Sequence, residues 1–200
     1  MTHSPTETEI KLAVPNARTA RGLLRSAGFR VARRRVFESN VVFDTPRLTL
    51  RRASTLLRLR RAGKLSTVTF KGKPVAGKHK TREELELTVT DPSTISAIFE
   101  RLGYRPVFRY DKYRTEYRLA RGAGIATVDE TPIGTYVELE GPPAWIDRLA
   151  ARMGFEESDY ITASYARLYL DWCRTRRITP GNMVFYAASQ ETDLTSDERR

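Results

Sequence analysis

The sequence has little cysteine, little histidine and no long apolar run. Its single cysteine, Cys173, excludes an intramolecular disulfide and suits a reducing compartment. The two histidines, His3 and His79, stand apart from any cluster of metal-ligating residue types, so zinc chemistry is not expected. No stretch of about 18 apolar residues occurs, which argues against a membrane-spanning helix.

Two further patterns are missing. Residues 1–9 contain neither the basic nor the apolar segment of a secretory signal, so we expect a cytoplasmic protein that is not attached to a membrane. No repeat of fixed period is visible either.

Composition and charge indicate one globular domain with an anionic partner. The chain has 200 residues, of which 40% are hydrophobic, enough for a sizeable core. The net charge is +11, which favours nucleic acid, a phosphate-rich small molecule or an acidic surface as partner. The arginines of residues 30–35 and 47–52 can be read more simply as a solvated basic surface. Nucleic acid would then bind only non-specifically and with strong salt dependence.

Four segments carry apolar residues at the spacing of an amphipathic helix. They are Ala20/Leu23/Leu24/Ala27, Ile95/Ile98/Phe99/Leu102, Ile146/Leu149/Ala150/Met153 and Tyr165/Leu168/Tyr169/Trp172. Asn16 and Asp91 are suitable N-caps for the first two. Glycine follows each of the first three, as expected at a helix C-terminus.

The remaining segments have the composition of β-strands joined by short turns. We predict strands at about residues 6–14, 29–44, 55–61, 65–73, 79–90, 105–119, 123–130 and 134–141. The helices are too few for a doubly wound parallel sheet, so we predict an α+β fold with a mostly antiparallel sheet and helices packed outside it. Residues 1–175 would form the domain, and residues 176–200 a C-terminal tail, partly disordered beyond Ala188.

Charged side chains two residues apart recur along these strands. The sets include Glu7/Glu9/Lys11, Arg58/Arg60, Lys71/Lys73, Arg82/Glu84/Glu86, Lys112/Arg114 and Glu138/Glu140. Residues i and i+2 of a strand share a face, and like charges on one face repel unless a counter-ion or an opposite charge compensates them. Any single pair is most simply a solvent face. Together they suggest a sheet closed into a barrel, with bases for phosphate and carboxylates for a hard cation such as Mg²⁺ or Mn²⁺.

The pattern resembles a known family. Glu7-Thr8-Glu9-Ile10-Lys11 is similar to the ExExK signature of the CYTH superfamily, the triphosphate tunnel metalloenzymes. Further motifs follow in the family's order and cover about residues 6–173: Phe43-Asp44-Thr45-Pro46, Leu57-Arg58-Leu59-Arg60, Thr69-Phe70-Lys71-Gly72, Arg82-Glu83-Glu84-Leu85-Glu86, Lys112-Tyr113-Arg114, Val128-Asp129-Glu130, Val137-Glu138-Leu139-Glu140-Gly141 and Ser164-Tyr165. Residues 109–141 look most like bacterial sequences called class IV adenylate cyclases.

The resemblance implies a closed, mostly antiparallel eight-stranded barrel and a role for each charged position. Catalytic residues would be Glu7, Glu9, Lys11 and Asp129. One or two Mg²⁺ or Mn²⁺ ions would be held by Glu7, Glu9, Asp129, Glu138 and Glu140, and the triphosphate by Lys11, Arg58, Arg60, Lys71, Lys112 and Arg114. Arg82, Glu84 and Glu86 would line the tunnel in support, although Glu84 and Glu86 could equally be structural.

Three functions stay open at this point. We favour metal-dependent hydrolysis of a triphosphate (inorganic tripolyphosphate, a nucleoside triphosphate or thiamine triphosphate), because a linear polyanion would use every base without a pocket for a nucleobase. A class IV adenylate cyclase, which makes cyclic AMP and pyrophosphate from ATP, is the main alternative. A non-catalytic module that binds polyphosphate or nucleic acid is the third. The expected partner is a small-molecule triphosphate, with a homodimer as an open alternative.

Overall fold

The computed structural model describes residues 6–185, and its centre is a closed barrel of eight antiparallel strands. The strands are β1 (Thr6–Val14), β2 (Arg30–Asp44), β3 (Leu56–Ala62), β4 (Leu65–Lys71), β5 (Lys80–Val89), β6 (Arg105–Arg118), β7 (Ile125–Thr131) and β8 (Gly134–Glu140). Their order around the barrel is β1-β5-β4-β3-β2-β6-β7-β8. The predicted α+β fold with a closed eight-stranded barrel is therefore confirmed.

Five α-helices lie outside the barrel. They are α1 (Ala17–Ser26), α2 (Thr49–Arg52), α3 (Pro92–Arg101), α4 (Pro143–Arg152) and α5 (Tyr165–Arg176), with a 3₁₀ turn at Glu157–Asp159. The helix α2 was not predicted, because its four residues are too few for an apolar period. It is held from outside: the Asp44 carboxylate accepts hydrogen bonds from the backbone N–H groups of Leu50 and Arg51, each at 2.9 Å. Within residues 6–185, no helix is long and apolar enough to cross a membrane.

The main apolar core lies against one side of the barrel. Helix α1 packs on β1, β7 and β8, and α4 packs on β1. Ile10 and Leu12 are fully buried in this core, while Glu9 and Lys11 alternate with them and face the barrel interior. The period-two alternation of β1 thus decides which side chains enter the core and which enter the barrel.

The rest of the barrel has a much thinner cover. No residue of α3 is fully buried, although the Phe99 ring contacts the Phe43 ring of β2 at 5.2 Å between centroids. On the outer face of β5, Leu85 and Leu87 remain 46% and 63% exposed. The barrel is therefore supported by an apolar core behind β1, β7 and β8 and only lightly covered outside β5.

Helix α5 and the residues after it lie at one end of the barrel. Tyr110, Tyr165, Tyr169, Cys173 and Met183 are buried in a second, largely aromatic cluster there. The backbone of Met183 exchanges hydrogen bonds with β6, accepting from Asp111 N at 2.9 Å and donating to Arg109 O at 3.0 Å. The first part of the predicted tail thus contacts the barrel. Residues 186–200, including the stretch predicted to be disordered, lie outside the described residues, and the boundary at residue 175 stays a prediction.

Candidate active site

The inward faces of the strands line a cavity of about 330 Å³. This volume lies at the lower end of the range for small-molecule sites. Its lining includes Glu7, Glu9, Lys11, Arg58, Arg60, Lys71, Arg82, Glu84, Glu86, Lys112, Arg114, Glu138 and Glu140. Asp129, the other residue predicted for the site, is completely buried directly behind Lys112 and Arg114. The strand pairing thus brings all fourteen predicted residues to one cavity and its wall.

Acidic and basic side chains occupy different parts of the barrel wall. We call Glu7, Glu9, Asp129, Glu138 and Glu140 the acidic wall, because they stand on the neighbouring strands β7, β8 and β1. We call Arg58, Arg60, Lys71, Lys112 and Arg114 the basic wall, which stands on β4, β3 and β6. Residues of opposite charge interrupt both walls: Lys11 stands in the acidic wall, and Glu116 on β6 and Glu38 on the intervening strand β2 stand among the bases.

Lys11 and Lys80 balance the innermost carboxylates of the acidic wall. Lys11 Nζ lies 3.1 Å from Glu9 Oε1 and 3.3 Å from Glu138 Oε1, and Lys80 Nζ lies 3.1 Å from Glu9 Oε1. Burial by itself raises the pKa of Glu9, but the ammonium groups of Lys11 and Lys80 outweigh it and hold that pKa well below its usual value. Burial lowers the pKa of Lys80 to about 8, against the opposing effect of Glu9.

Carboxylates outnumber cations at the other end of the acidic wall. Lys71 Nζ lies 2.5 Å from Glu7 Oε2 and 2.8 Å from Glu84 Oε2, so one ammonium serves two carboxyl groups. Burial and a hydrogen bond with Glu7 raise the pKa of Glu84 to about 8. Burial and the nearby Glu7 raise the pKa of Glu140 to about 7. In this part of the cavity the carboxyl groups outnumber the one ammonium group, and an added cation would be stabilised there.

Asp129 orients the basic side chains at the back of the cavity. Its carboxylate accepts hydrogen bonds from Lys112 Nζ at 2.7 Å, from Arg114 Nε at 2.7 Å and from the Tyr165 hydroxyl at 2.8 Å. Although burial opposes ionisation, Arg114 and Lys112 lower the pKa of Asp129 to about 2. Arg114 also bonds to Glu138. Asp129 thus stays charged and fixes two of the bases predicted to bind phosphate.

Two neighbouring arginines, Arg58 and Arg60, crowd each other on the basic wall. Arg58 donates to the Tyr110 hydroxyl at 3.2 Å and to Thr69 Oγ1 at 3.0 Å. The pKa of Arg60 is lowered by the neighbouring Arg58 guanidinium and by burial, which is the signature of crowded like charges. Arg60 also donates to Glu86 Oε1 at 2.8 Å. A phosphate chain placed here would relieve the crowding and accept the planar hydrogen-bond fork of each arginine.

Comparison with known proteins gives the family. Residues 5–151 match the model of the CYTH domain. The chain belongs to the CYTH family. A Methanocaldococcus jannaschii relative, named "putative adenylate cyclase", is 28% identical over 135 residues, covering 67% of this chain and 75% of the relative.

Two solved structures of other proteins share this CYTH fold. A Vibrio parahaemolyticus protein, also named as an adenylate cyclase candidate, superposes with a TM-score of 0.71 at 21% identity, covering 83% of this chain and 98% of that one. A Hippeastrum protein, described as an adenylyl cyclase candidate with a dominant triphosphatase activity, superposes with a TM-score of 0.63 at 20% identity over 87% of this chain and 98% of its own. At these identities the likeness establishes the fold.

The carboxylates of this CYTH barrel suit a hard divalent cation. Among residues 6–185, no three histidine, cysteine or acidic side chains form a ready-made metal cage. Mg²⁺ commonly needs only one or two carboxylates, because water and substrate phosphates complete its coordination. Glu7, Glu84 and Glu140 supply hard oxygen donors at the part of the cavity where carboxyl groups outnumber the one ammonium group. The donor chemistry therefore fits Mg²⁺ or Mn²⁺.

Sequence reasoning missed four residues that the fold adds to the cavity. Glu38, Lys80 and Tyr110 line it, and Tyr165, noted only as part of a family motif, reaches in from α5. Glu38 and Asn40 are polar residues two apart in an apolar strand, and Lys80 stands two residues before Arg82. The alternation used for the other strands could have found these two.

Of the two histidines, His79 makes a structural contact away from the cavity. It is buried, with Nε2 at 2.7 Å from Asp147 Oδ1 on α4. It therefore ties the start of β5 to the helix layer outside the cavity. His3 lies outside the described residues.

Proposed function

We propose that this CYTH protein is a divalent-metal-dependent enzyme that hydrolyses a triphosphate. The observation that carries the proposal is the division of one small cavity into an acidic and a basic wall with opposite charge imbalances. The crowded arginines Arg58 and Arg60 favour an anion, and the crowded carboxyls of Glu7, Glu84 and Glu140 favour a cation. A triphosphate bound together with a divalent cation satisfies both, whereas a simple anion-binding module would have no use for the carboxylates.

The basic wall would bind and orient the substrate. Arg58, Arg60 and Lys112 offer rigid forks and a point charge along one side of the cavity, and phosphoryl transfer depends mainly on such positioning and charge neutralisation. Mg²⁺ or Mn²⁺ would be held by Glu7, Glu9, Glu138 and Glu140, and it would neutralise phosphate oxygens and lower the pKa of the attacking water. Asp129, whose oxygens already accept from Lys112 and Arg114, would support the site by orienting these bases. Lys11, buried between Glu9 and Glu138, would stabilise charge that develops on the phosphate.

Cyclisation of ATP is the second candidate, and one feature of the cavity favours it. The lining away from Tyr165 includes the apolar side chains of Val36, Leu65 and Ile125, which offer a surface for a nucleobase. The names of the relatives from Methanocaldococcus and Vibrio agree with this activity. The Hippeastrum neighbour is described as an adenylyl cyclase candidate with a dominant triphosphatase activity, so hydrolysis is the first reaction to test.

The test is a product assay with three substrates. The protein is incubated with Mg²⁺ or Mn²⁺ and, separately, with tripolyphosphate, ATP and thiamine triphosphate. Orthophosphate release supports hydrolysis, whereas cyclic AMP with pyrophosphate would replace hydrolysis by cyclisation. If the protein binds a triphosphate tightly but converts none of the three substrates with either metal, the hypothesis of a non-catalytic binding module replaces both enzymatic ones.

Matched variants test the metal assignment. Glu7→Gln and Glu9→Gln should each lower turnover at least about hundredfold, since the loss of one carboxylate ligand weakens both charge neutralisation and water activation. They should also remove the Mg²⁺-dependent rise in melting temperature, which is measured without substrate. Glu157→Gln, on an exposed side chain, is the control and should behave like the wild type. Full activity in both tunnel variants would contradict the metal assignment.

A further inference from the structure

Tyr165 enters the barrel at the first residue of α5. The helix is capped by Ser164, whose Oγ accepts a hydrogen bond from Arg167 N at 3.3 Å. Just before it, Ile161 exchanges two backbone hydrogen bonds with Lys11 of β1, each at 2.9 Å. This pairing fixes the start of α5 on the barrel, and the Tyr165 side chain, 6% exposed, lines the cavity.

The Tyr165 ring lies against two bases from separate strands. Lys11 Nζ is 5.4 Å from the ring centroid, and Lys112 Nζ is 5.2 Å from it. Both distances fall within the range of cation–π attraction, which is stronger where water is excluded. β1 and β6 are not neighbours in the barrel, so the backbone does not align these two ammonium groups with each other.

The Tyr165 hydroxyl reaches a third group. It donates a 2.8 Å hydrogen bond to Asp129 Oδ2, the oxygen that also accepts from Lys112 Nζ at 2.7 Å. One side chain from outside the barrel thus contacts two bases and the carboxylate that orients one of them. The carboxylates of Glu9 and Glu138 also attract the Lys11 ammonium group. The Tyr165 ring attracts the same group from another direction and so limits how far it turns toward them.

We propose that Tyr165 is a positioning residue that sets where the Lys11 and Lys112 ammonium groups meet the phosphate chain. This inference rests on the proposed function, because it takes the substrate to be a linear phosphate. The ring would hold both ammonium groups toward the cavity, and the hydroxyl would fix Asp129 and through it Lys112. The alternative is a purely packing role, because the ring also contacts those of Tyr110 and Tyr136, at 6.1 Å and 5.6 Å between centroids.

Two variants separate the ring from the hydroxyl. Tyr165→Phe keeps the ring and removes the bond to Asp129, so the kcat for tripolyphosphate should fall about tenfold while KM changes less than about twofold, the size expected for one lost hydrogen bond to a charged group. Tyr165→Leu removes the ring as well, so the Kd for tripolyphosphate, measured by calorimetry without metal, should rise about tenfold. Tyr169→Phe, which removes a hydroxyl that accepts from Gly181 N elsewhere in the same aromatic cluster, is the control and should change neither constant.

A measurement without any ligand keeps this test separate from that of the proposed function. In wild type the ring current of Tyr165 should shift the Cε–Hε signals of Lys11 and Lys112 upfield in a ¹³C–¹H NMR spectrum. The shifts should persist in Tyr165→Phe and vanish in Tyr165→Leu. A wild type that neither binds nor cleaves a triphosphate would overturn the proposed function, with the lysine signals still reporting on Tyr165. Three results would overturn the positioning role. The first is a wild type with unshifted lysine signals, and the second is a Tyr165→Leu variant that has a lower melting temperature but binds tripolyphosphate like wild type. The third is a Tyr165→Phe variant with unchanged kcat.

Discussion

Glu38 offers a sharp test of how this cavity is balanced, because it is a buried anion among bases. Its side chain is nearly inaccessible, and its carboxylate lies 3.7 Å from both Arg60 Nη1 and Lys112 Nζ. No group donates a hydrogen bond to Glu38 Oε2 within the described part of the chain. Its contribution is therefore mainly the charge it places between the two bases. The variant Glu38→Gln removes that charge and keeps the shape.

The size of the effect follows from the pKa of Glu38. Burial opposes ionisation, but Lys112, Arg114 and Arg60 together lower the pKa from 4.5 to about 2. A difference of about 2.5 pKa units between the folded and unfolded states corresponds to about 3 kcal/mol of folding free energy. Because the folded pKa is the lower one, this stabilisation is complete above pH 4.5 and is lost as the pH falls toward 2.

The same substitution should strengthen substrate binding. Glu38 competes with a phosphate chain for Arg60 and Lys112, and its loss leaves both bases uncompensated. We therefore expect the Kd for tripolyphosphate to fall about fivefold, equivalent to about 1 kcal/mol. If Glu38→Gln binds tripolyphosphate more tightly but is less stable than wild type, then the Glu38 carboxylate occupies part of the phosphate site in the free protein.

Urea unfolding at pH 7 and pH 3, with calorimetric titration of tripolyphosphate, measures both effects. At pH 7, Glu38→Gln should be less stable than wild type by about 3 kcal/mol, and the difference should shrink at pH 3. The control is Asp171→Asn on α5, where the solvent-accessible ion pairs with Arg167 and Arg174 should each be worth less than about 1 kcal/mol. Wild-type stability of Glu38→Gln at pH 7 would refute the reasoning.

Two further predictions concern the scaffold. Gly124→Ala should lower the melting temperature and cost about 1–3 kcal/mol of folding free energy, because the added Cβ would lie 2.4 Å from Glu140 O and 2.7 Å from the Trp145 ring. Gly22→Ala in α1, where a Cβ meets nothing within 4 Å, should raise the melting temperature. Melting temperatures that shift in the same direction in both variants would contradict this. Asp44→Asn should cost about 1 kcal/mol at pH 7. Although burial opposes ionisation, the backbone N–H groups of α2 lower the pKa of Asp44. The stabilisation by its carboxylate is therefore present above pH 3.8 and is lost as the pH falls. If the urea midpoints of wild type and variant differ as much at pH 3 as at pH 7, this reasoning is wrong.

The barrel could be predicted because apolar and charged residues alternate along its strands. In β1, Ile10 and Leu12 face the apolar core while Glu9 and Lys11 face the cavity. Repeated over several strands, this alternation indicates a closed sheet whose inner face is charged. Glu38 shows the limit of this reasoning, because alternation with Asn40 can put it on the inner face but cannot tell which bases it meets. A single acid in a strand is usually solvated, and only the pairing of β2 with β3 and β6 brings it between Arg60 and Lys112.

Other features depend on contacts between distant parts of the chain. The helical period of α5 places Tyr165 on the apolar face, but its reach to Lys11 depends on the backbone pairing of Ile161 with β1. The short helix α2 depends in the same way on Asp44. The raised pKa of Glu84 also depends on tertiary structure, because it comes from burial and from a hydrogen bond with Glu7 of the neighbouring strand β1.

The uneven covering of the barrel gives its two charged walls different local stabilities. The strands of the acidic wall stand in front of the apolar core, so amide hydrogens of β1, β7 and β8 should exchange only through near-global unfolding. Leu85 and Leu87 on the outer face of β5 are exposed, and α3 buries no residue, so β5, β4 and β3 should open at lower free energy. The carboxylates that would hold a metal therefore stand on the rigid half of the barrel, and Arg58, Arg60 and Lys71 stand on a compliant half that can adjust to phosphate chains of different length.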